Sequence, residues 1–378
     1  AEDGIRDSVA SRGLGDVYKR QVAATALGFN LKGKTKTIHH KTVKPMSILI
    51  LGGTGFIGPH MVRSAQAHGH VITLFNRGKT NTHLFPDVEK LKGDRENDLE
   101  SLKGRKWDVV IDNSAIRPWW VRDAAKLLVN SVDRYLFTST RSTYADFSQI
   151  GMNENSPQYD PDPTAVDERR RLSYGEDKVL CEREARNVFG NRTLIVRPGL
   201  IVGPGDNTDR FTYWPVRIDR GGEVLAPGDP QNGVMFIDVR DLAEWYIRLI
   251  ENGNTGSYNA LGPQAPLSFA EFLYGCRAVT NVQVSFTWVD TDFLLERELR
   301  PYRDFPCWMP AEGDRLGFQR FDLSKPLAAG LTYRSLAVTA FDTLEWYKSL
   351  PSERTTELKA GITTSREIEV LMEWHDKK

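Results

Sequence analysis

The chain has 378 residues, 40% of them hydrophobic, a length that predicts one large domain with a smaller appended lobe. Lys plus Arg and Asp plus Glu number 50 each, so the net charge is zero, which argues against a nucleic-acid or membrane partner and favours a small molecule. Cys181, Cys276 and Cys307 form no metal-binding spacing, and no apolar stretch reaches the ~20 residues of a membrane span, so we expect buried thiols, no metal and no disulfide.

Residues 1–45 show no hydrophobic period that could join a folded core, and we interpret them as a leader. Residues 1–21 resemble a foreign leader sequence. Val22 to Leu31 is an apolar, alanine-rich run typical of an export signal, although no pair of arginines precedes it. Two interpretations stay open: the remnant of an export signal on a periplasmic protein, or a disordered linker on a cytoplasmic one.

From Met46 onward, apolar β-branched runs alternate with helical patterns. The helical patterns include Val121 to Val129 and Asp177 to Val188. The strand candidates are Ile48 to Leu51, His70 to Phe75, Trp107 to Asp112, Arg134 to Thr138 and Thr193 to Val196. This alternation predicts an α/β fold, a Rossmann-type doubly wound parallel sheet.

The domain boundaries follow from a change in composition after Gly199, where Gly, Pro, Trp and Tyr become frequent and the alternation ends. We assign 46–200 to a dinucleotide-binding domain. A smaller C-terminal substrate-binding lobe over 201–350 is interleaved with the end of the sheet, and 351–378 is a C-terminal extension.

The segment GGTGFIG places Gly52, Gly55 and Gly58 directly after the first strand and at the start of a helix. Without side chains, this backbone can approach a pyrophosphate, whose charge meets the free N–H groups of the helix N-terminus. A glycine-rich turn can also be only a turn, but its place between strand and helix favours dinucleotide binding.

The second strand ends in Asn76 and Arg77 rather than in the acidic residue that marks NAD binding. A guanidinium there would pair with a 2′-phosphate, so NADP is favoured over NAD as the cofactor. The alternative is that Arg77 is a solvated loop cation.

A candidate acid/base pair lies in SYGEDKVLCE, where Tyr174 and Lys178 are four residues apart and share one helix face. An ammonium beside a phenol favours phenolate, so we expect Lys178 to lower the pKa of Tyr174. Upstream, FTSTRSTY supplies the hydroxyls of Thr138, Ser139 and Thr140, one of which could hydrogen-bond the reacting oxygen of a substrate.

Together, these motifs resemble the extended short-chain dehydrogenase/reductase family, in its NAD-dependent epimerase/dehydratase group, over Ser47 to Leu350. Further matches are LIVRPGLIVGPGD and FDLSKPLAAGLTYRS. The resemblance implies that Thr140 is the catalytic hydroxyl, with Ser139 beside it at the substrate, that Tyr174 is the acid/base, and that Lys178 also holds the cofactor. It implies the following cofactor-binding residues: Gly52, Thr54, Gly55, Phe56, Ile57, Gly58, Asn76, Arg77, Asp94, Arg95, Asn113, Ser114, Ala115, Lys178, Pro198, Gly199 and Leu200.

One departure from the family pattern concerns the substrate. Sugar-nucleotide epimerases carry an arginine for the substrate diphosphate where this chain has Val234, in VMFIDVRDLA, and a valine cannot neutralise a pyrophosphate. Other arginines could compensate. Arg210, Tyr213 and Trp214 are the candidates for the substrate wall, although Trp214 could equally belong to the core of the lobe.

The sequence therefore predicts an NAD(P)-dependent oxidoreductase or epimerase that transfers a hydride at a hydroxyl or carbonyl of a small polar, sugar-like substrate. The alternative is a non-redox nucleic-acid-binding or regulatory relative. The three residues Thr140, Tyr174 and Lys178, with zero net charge, favour the enzyme. We expect a homodimer, although the sequence does not determine the oligomeric state.

Overall fold

The structure is a computed structural model that describes residues 44–377. Nearly all of the predicted leader, including the export-signal candidate Val22 to Leu31, therefore lies outside the described residues. Within them, no helix is both long and apolar enough to cross a membrane. The three cysteines are free and buried, which confirms that part of the sequence analysis.

Eleven strands occur in the described residues. They are β1 (Ser47–Leu51), β2 (Val71–Asn76), β3 (Glu89–Lys92), β4 (Trp107–Asp112), β5 (Val132–Thr138), β6 (Thr193–Pro198), β7 (Leu200–Val202), β8 (Gly222–Pro227), β9 (Phe236–Asp238), β10 (Gly256–Ala260) and β11 (Val284–Val289). Seven of these form a parallel sheet in the order β3-β2-β1-β4-β5-β6-β10. The predicted α/β fold with a doubly wound sheet is thereby confirmed.

Eleven α-helices occur in the described residues. They are α1 (Ile57–Ala67), α2 (Pro118–Leu128), α3 (Tyr174–Phe189), α4 (Tyr213–Asp219), α5 (Val239–Glu251), α6 (Phe269–Arg277), α7 (Thr291–Glu296), α8 (Ser324–Ala328), α9 (Leu336–Lys348), α10 (Ser352–Thr355) and α11 (Thr364–Lys377). Helices α1 and α5 pack on one face of the large sheet, and α2 and α3 pack on the other. In β1, residues 48–51 are fully buried, as expected for a central parallel strand covered on both faces.

The C-terminal lobe has its own hydrophobic core, built around α4, α6 and two small parallel pairs, β8 with β11 and β7 with β9. The residues of α11 that join this core are Val370, Leu371 and Trp374. The predicted C-terminal extension thus packs into the lobe. After β7, β8 and β9, the chain returns to the large sheet, where β10 pairs with β6.

Candidate active site

The turn between β1 and α1 needs glycine at two of its positions for steric reasons. Gly52 has φ +90°, and a Cβ on it would lie 2.7 Å from Ser114 Cβ. A Cβ on Gly58 would lie 2.5 Å from the Gly53 carbonyl carbon, so Gly58 allows α1 to pack against the turn. Gly55 is different, because a Cβ there would meet no atom within 4 Å. Gly55 therefore faces open space, and the packing of the fold does not require a glycine at this position.

Two cavities lie along the carboxyl edge of the parallel strands. The glycine-turn cavity, of about 620 Å³, extends from the β1–α1 turn to the end of β2. The tyrosine cavity, of about 440 Å³, extends from the end of β5 to the lobe. Four residues line both cavities, namely Phe56, Ile57, Asn113 and Ser114. One extended ligand could therefore occupy both.

Most of the predicted cofactor-binding residues line the glycine-turn cavity. They are Gly52, Thr54, Gly55, Phe56, Ile57, Asn76, Arg77, Asp94, Arg95, Asn113 and Ser114. Ala115, Lys178, Pro198, Gly199 and Leu200 line the tyrosine cavity instead. Gly58 lines neither of these two cavities, since its role is the packing of α1.

Asn76 and Asn113 leave polar atoms of the glycine-turn cavity without a protein partner. Asn76 Oδ1 accepts the N–H of Gly78 at 2.8 Å, while its buried Nδ2 donates to no described residue. Asn113 Oδ1 is likewise buried without a donor. Because a buried polar atom without a hydrogen bond is costly, both amides favour a polar ligand. The Arg95 guanidinium pairs with Asp112 through its two terminal nitrogens, and only its buried Nε is left without a partner among the described residues.

Lys178 is fixed on the wall of the tyrosine cavity. Its Nζ donates to the carbonyl oxygens of Ala115 at 2.9 Å and Thr138 at 2.6 Å, and it lies 4.4 Å from the centre of the Phe137 ring. Burial lowers the pKa of Lys178. An ammonium has three N–H groups, so one remains for a ligand.

Tyr174 is the first residue of α3, and a capping box formed by Ser173 and Glu176 fixes the start of that helix. Tyr174 is 54% exposed, and the partial burial of its side chain raises its pKa, while a hydrogen-bonding interaction with the Thr140 hydroxyl opposes this rise. The prediction that Lys178 lowers this pKa is therefore wrong for the described state. The reason is that the Lys178 ammonium is directed to two backbone carbonyls rather than to the phenol.

Ser139 and Thr140, neighbours at the end of β5, have different partners. Ser139 Oγ donates to Glu182 at 2.6 Å, and Glu182 also accepts two hydrogen bonds from Arg197, at 2.8 and 2.7 Å. Thr140 Oγ1 accepts the N–H of Ser142 at 3.2 Å and interacts with Tyr174. Of the two hydroxyls, it is that of Thr140 that meets the tyrosine.

Gly175 allows α3 to approach the loop after β5. A Cβ at this position would lie 2.1 Å from the carbonyl oxygen of Ser142. Any larger residue would therefore separate Tyr174 from the Thr140 loop. The glycine that follows Tyr174 in the sequence is thus a requirement of the site geometry.

Residues 48–260 match the model of the NAD dependent epimerase/dehydratase family. The chain belongs to this family. It is therefore an enzyme of the short-chain dehydrogenase/reductase type, as the sequence motifs predicted.

Similar proteins include members with different activities. A dTDP-4-dehydro-6-deoxy-D-allose reductase from Streptomyces sp is 25% identical over 250 residues, which cover 58% of this chain and 76% of the reductase. The chloroplast stem-loop binding protein of 41 kDa b from Arabidopsis thaliana is 28% identical over 221 residues, 54% of this chain and 55% of that protein. The solved structure of MoeE5 in complex with UDP-glucose and NAD has the same fold, with a TM-score of 0.56, 18% identity and coverage of 80% of this chain and 98% of MoeE5.

Two of the three predicted substrate-wall residues do not line the tyrosine cavity. Tyr213 and Trp214 are 2% and 0% exposed in the lobe core, where the Trp214 indole donates to the Pro306 carbonyl at 2.6 Å. The prediction that Tyr213 and Trp214 line the substrate site is therefore wrong, because these large aromatic side chains of α4 fill the hydrophobic core of the lobe. Arg210 does line the tyrosine cavity. Val234, at the diphosphate-arginine position, is buried in the lobe core.

Sequence reasoning missed several residues that line the tyrosine cavity of this family member. They are Ile116, Arg141, Ser142, Ile201, Asp206, Thr208, Tyr302 and Phe318. Arg141 and Ser142 directly follow Thr140 in FTSTRSTY and could have been inferred from that motif. Tyr302 and Phe318 come from lobe loops far along the chain, and no local pattern marks them.

A possible metal site outside these two cavities is formed by His68, His70 and Glu251, whose potential ligand atoms lie within 4.8 Å of one another. His70 Nδ1 accepts the Met46 N–H at 3.2 Å, so in the neutral ring Nε2 carries the proton and donates to Glu251 at 3.2 Å. A metal ligand needs that Nε2 lone pair. The protonation pattern therefore fits a hydrogen-bonded pair rather than a metal centre.

Proposed function

We propose that this chain is an NADP(H)-dependent oxidoreductase or epimerase that acts on a hydroxyl or carbonyl of a small polar substrate, with Tyr174 as the acid/base. The observation that carries the proposal is the convergence of Thr140, Tyr174 and Lys178 on a cavity that shares four lining residues with the glycine-turn cavity. The arrangement brings a proton-transfer group close to the place where the reactive end of a dinucleotide would lie.

The residues of the glycine-turn cavity fit a dinucleotide. The open space at Gly55 can admit a pyrophosphate, and the unpaired amide atoms of Asn76 and Asn113 can hydrogen-bond a polar ligand. The Lys178 ammonium has one N–H left for the nicotinamide ribose. When bound, the nicotinamide would accept or supply the hydride.

The preference for NADP rests on the charges at the end of β2. Arg77 and Lys79 both line the glycine-turn cavity and are exposed, and Asn76 stands where NAD-binding members have a carboxylate. A guanidinium and an ammonium attract a 2′-phosphate, and an asparagine does not repel it.

The chemistry assigned to the chain's own side chains is proton transfer and positioning. In the oxidation direction, the Tyr174 phenolate would take the proton of the substrate hydroxyl, and in reduction the phenol would return it. Thr140 would hydrogen-bond the same substrate oxygen and hold it at the phenol. Lys178, held by two backbone carbonyls, would orient the cofactor.

The substrate is proposed to be a small polar, sugar-like compound rather than a nucleotide-linked sugar. A valine at position 234, buried in the lobe core, supports this choice because it removes the usual partner of a substrate diphosphate. The names of the dTDP-4-dehydro-6-deoxy-D-allose reductase and of the MoeE5 complex with UDP-glucose each include a nucleotide-linked sugar. Such sugars therefore belong in the test set.

The test is a substrate screen with purified full-length protein, followed by nicotinamide absorbance with NADP⁺, NADPH, NAD⁺ and NADH. We expect turnover of at least one hydroxyl or keto compound with the phosphorylated cofactor. Turnover with the unphosphorylated cofactor alone would overturn the NADP assignment. Salt-dependent RNA binding with no cofactor binding would favour the function named for the stem-loop binding relative instead.

A further inference from the structure

We propose that Tyr302 is a specificity-determining residue that donates its phenolic hydrogen to an anionic oxygen, carboxylate or phosphate, of the substrate. This inference rests on the proposed function, since it concerns the substrate of the same tyrosine cavity. Tyr302 comes from the lobe, and it lines that cavity together with Thr140 and Tyr174.

The first step is the orientation of the Gln319 side-chain amide. Its oxygen accepts the Met235 N–H at 3.1 Å, and its nitrogen donates to the Cys307 carbonyl oxygen at 3.2 Å. A backbone N–H can only donate and a carbonyl can only accept, so these two bonds fix which end of the amide is which. Gln319 must therefore act as a donor to Tyr302, whose hydroxyl oxygen lies 3.1 Å from the amide nitrogen.

The second step is that Arg141 also donates to the Tyr302 oxygen. Its Nη2 lies 2.8 Å from that oxygen, and a guanidinium has no acceptor. Both neighbours of the phenol oxygen are donors, so neither can accept the phenolic hydrogen. In the tyrosine cavity, a substrate oxygen is the natural acceptor for it.

The third step is the rigidity of this arrangement. The buried Arg141 guanidinium lies 3.9 Å from the centre of the Phe318 ring and also donates to Gln319 Oε1 and to the Phe318 carbonyl. The Tyr302 ring contacts Phe318 edge-on, with centres 5.5 Å apart. A donor held by three neighbours in this way is preorganised for a ligand.

The final step concerns charge at this end of the cavity. Arg141 has only neutral hydrogen-bond partners, and Arg210 donates from Nε to the Thr208 hydroxyl, so neither guanidinium forms a salt bridge within the described residues. The nearby carboxylate of Asp206 is buried and bound to Thr208, and burial raises its pKa. Two guanidinium groups against one carboxylate favour a negatively charged acceptor.

The first experiment uses Tyr302→Phe, which removes only the donor, and Tyr274→Phe, an exposed tyrosine on α6, as the matched control. For each active compound from the substrate screen, an anionic form is compared with a neutral analogue. Forms that carry a carboxylate and forms that carry a phosphate are assayed separately. We expect Tyr302→Phe to raise KM for the anionic compound about tenfold or more, the usual effect of losing a hydrogen bond to a charged group, with kcat little changed. A preference of the wild type for the neutral analogue would overturn the proposal, and so would an unchanged KM in Tyr302→Phe.

The second experiment does not depend on turnover. Acetate and inorganic phosphate are titrated into the wild type and the variants by NMR, with and without saturating NADP⁺. We expect the wild type and Tyr174→Phe to bind at least one of the two anions, and Tyr302→Phe to bind it about tenfold more weakly. This result supports the proposal even if no substrate is turned over. Absence of binding in the wild type, or equal binding in Tyr302→Phe, contradicts it. Turnover without this anion site would leave the proposed function intact and reject only the role of Tyr302.

Discussion

The Ser139 hydroxyl donates its hydrogen to Glu182 over 2.6 Å, inside a buried group that also contains Arg197. Glu182 carries a negative charge without contact with solvent, so each donor that reaches it stabilises the fold. Ser139 is thereby committed to holding β5, β6 and α3 together. The neighbouring Thr140 has no such partner in the buried group and lines the tyrosine cavity, so it is the hydroxyl that we propose for the chemistry.

The first prediction separates these two hydroxyls. Ser139→Ala should lower the free energy of unfolding by about 1–3 kcal/mol, because a buried carboxylate loses a donor. Thr140→Ala should instead lower kcat with little change in cofactor affinity or stability. Chemical denaturation and steady-state kinetics on both variants check this, and the reverse pattern would assign the catalytic hydroxyl to Ser139.

A second prediction concerns Gly175. In Gly175→Ala the new methyl group would collide with the Ser142 carbonyl, so α3 must move away from the Thr140 loop. We expect a loss of kcat of at least about tenfold, since small misplacements of catalytic groups are costly. Asn187→Ala, at an exposed position of the same helix, is the control and should leave kcat unchanged. Full activity in Gly175→Ala would show that the approach of helix to loop is not needed.

The cofactor preference gives a third prediction. Arg77→Ala should raise the Kd of NADP⁺ about tenfold, as expected for losing a charge-assisted hydrogen bond, and leave the Kd of NAD⁺ unchanged. Arg277→Ala, an exposed arginine on α6, should alter neither value. Fluorescence titration measures both constants. Equal binding of the two cofactors by the wild type, unaltered by Arg77→Ala, is the contradictory result.

A fourth prediction tests whether the C-terminal helix is part of the lobe. The buried Glu367 carboxylate on α11 accepts from Arg217 Nε at 2.5 Å and from the Leu225 N–H at 3.0 Å. Glu367→Ala leaves the buried Arg217 guanidinium with two backbone carbonyl partners but no carboxylate, and leaves the Leu225 N–H without its acceptor. This loss should destabilise the protein by about 3–5 kcal/mol.

The control for that helix is Glu369→Ala, which removes a half-exposed carboxylate from an Arg366 pair two residues further on. A surface pair of this kind contributes at most about 1 kcal/mol. Urea denaturation compares the two variants. Similar small losses in both would show that α11 is only loosely attached to the lobe.

The sequence predicts the parts of the site that depend on local structure. GGTGFIG and YGEDK each report a strand, turn or helix start within a few residues, and the structure has the glycine turn after β1 and Tyr174 at the start of α3. Edge strand β3, EKLK, was not predicted, because only Leu91 in it is buried and its charged residues face solvent.

The lobe is where local patterns fail. Tyr213 and Trp214 were candidates for the substrate wall, with the core of the lobe as an equal alternative for Trp214. Aromatic side chains occur both in binding sites and in hydrophobic cores, and hydrophobicity alone does not distinguish the two. Tyr302 reaches the tyrosine cavity only through the fold of the lobe. Along the sequence, its partner Arg141 lies 161 residues away and its partner Gln319 lies 17 residues away. Such contacts between distant segments leave no signal in a short window of sequence.

The most direct test of the central claim is the pH dependence of turnover in wild type and Tyr174→Phe, with a substrate from the screen and NADP⁺. If Tyr174 is the base, the oxidation rate of the wild type should rise as the pH increases through the alkaline range, because the pKa of Tyr174 is raised above its ordinary value of 10.0 and the phenolate fraction increases with pH. Tyr174→Phe should lose about a hundredfold or more in kcat together with this pH dependence, while its Kd for NADP⁺ stays unchanged. Near-wild-type kcat in Tyr174→Phe, with the same pH profile, would contradict the assignment of Tyr174 as the acid/base.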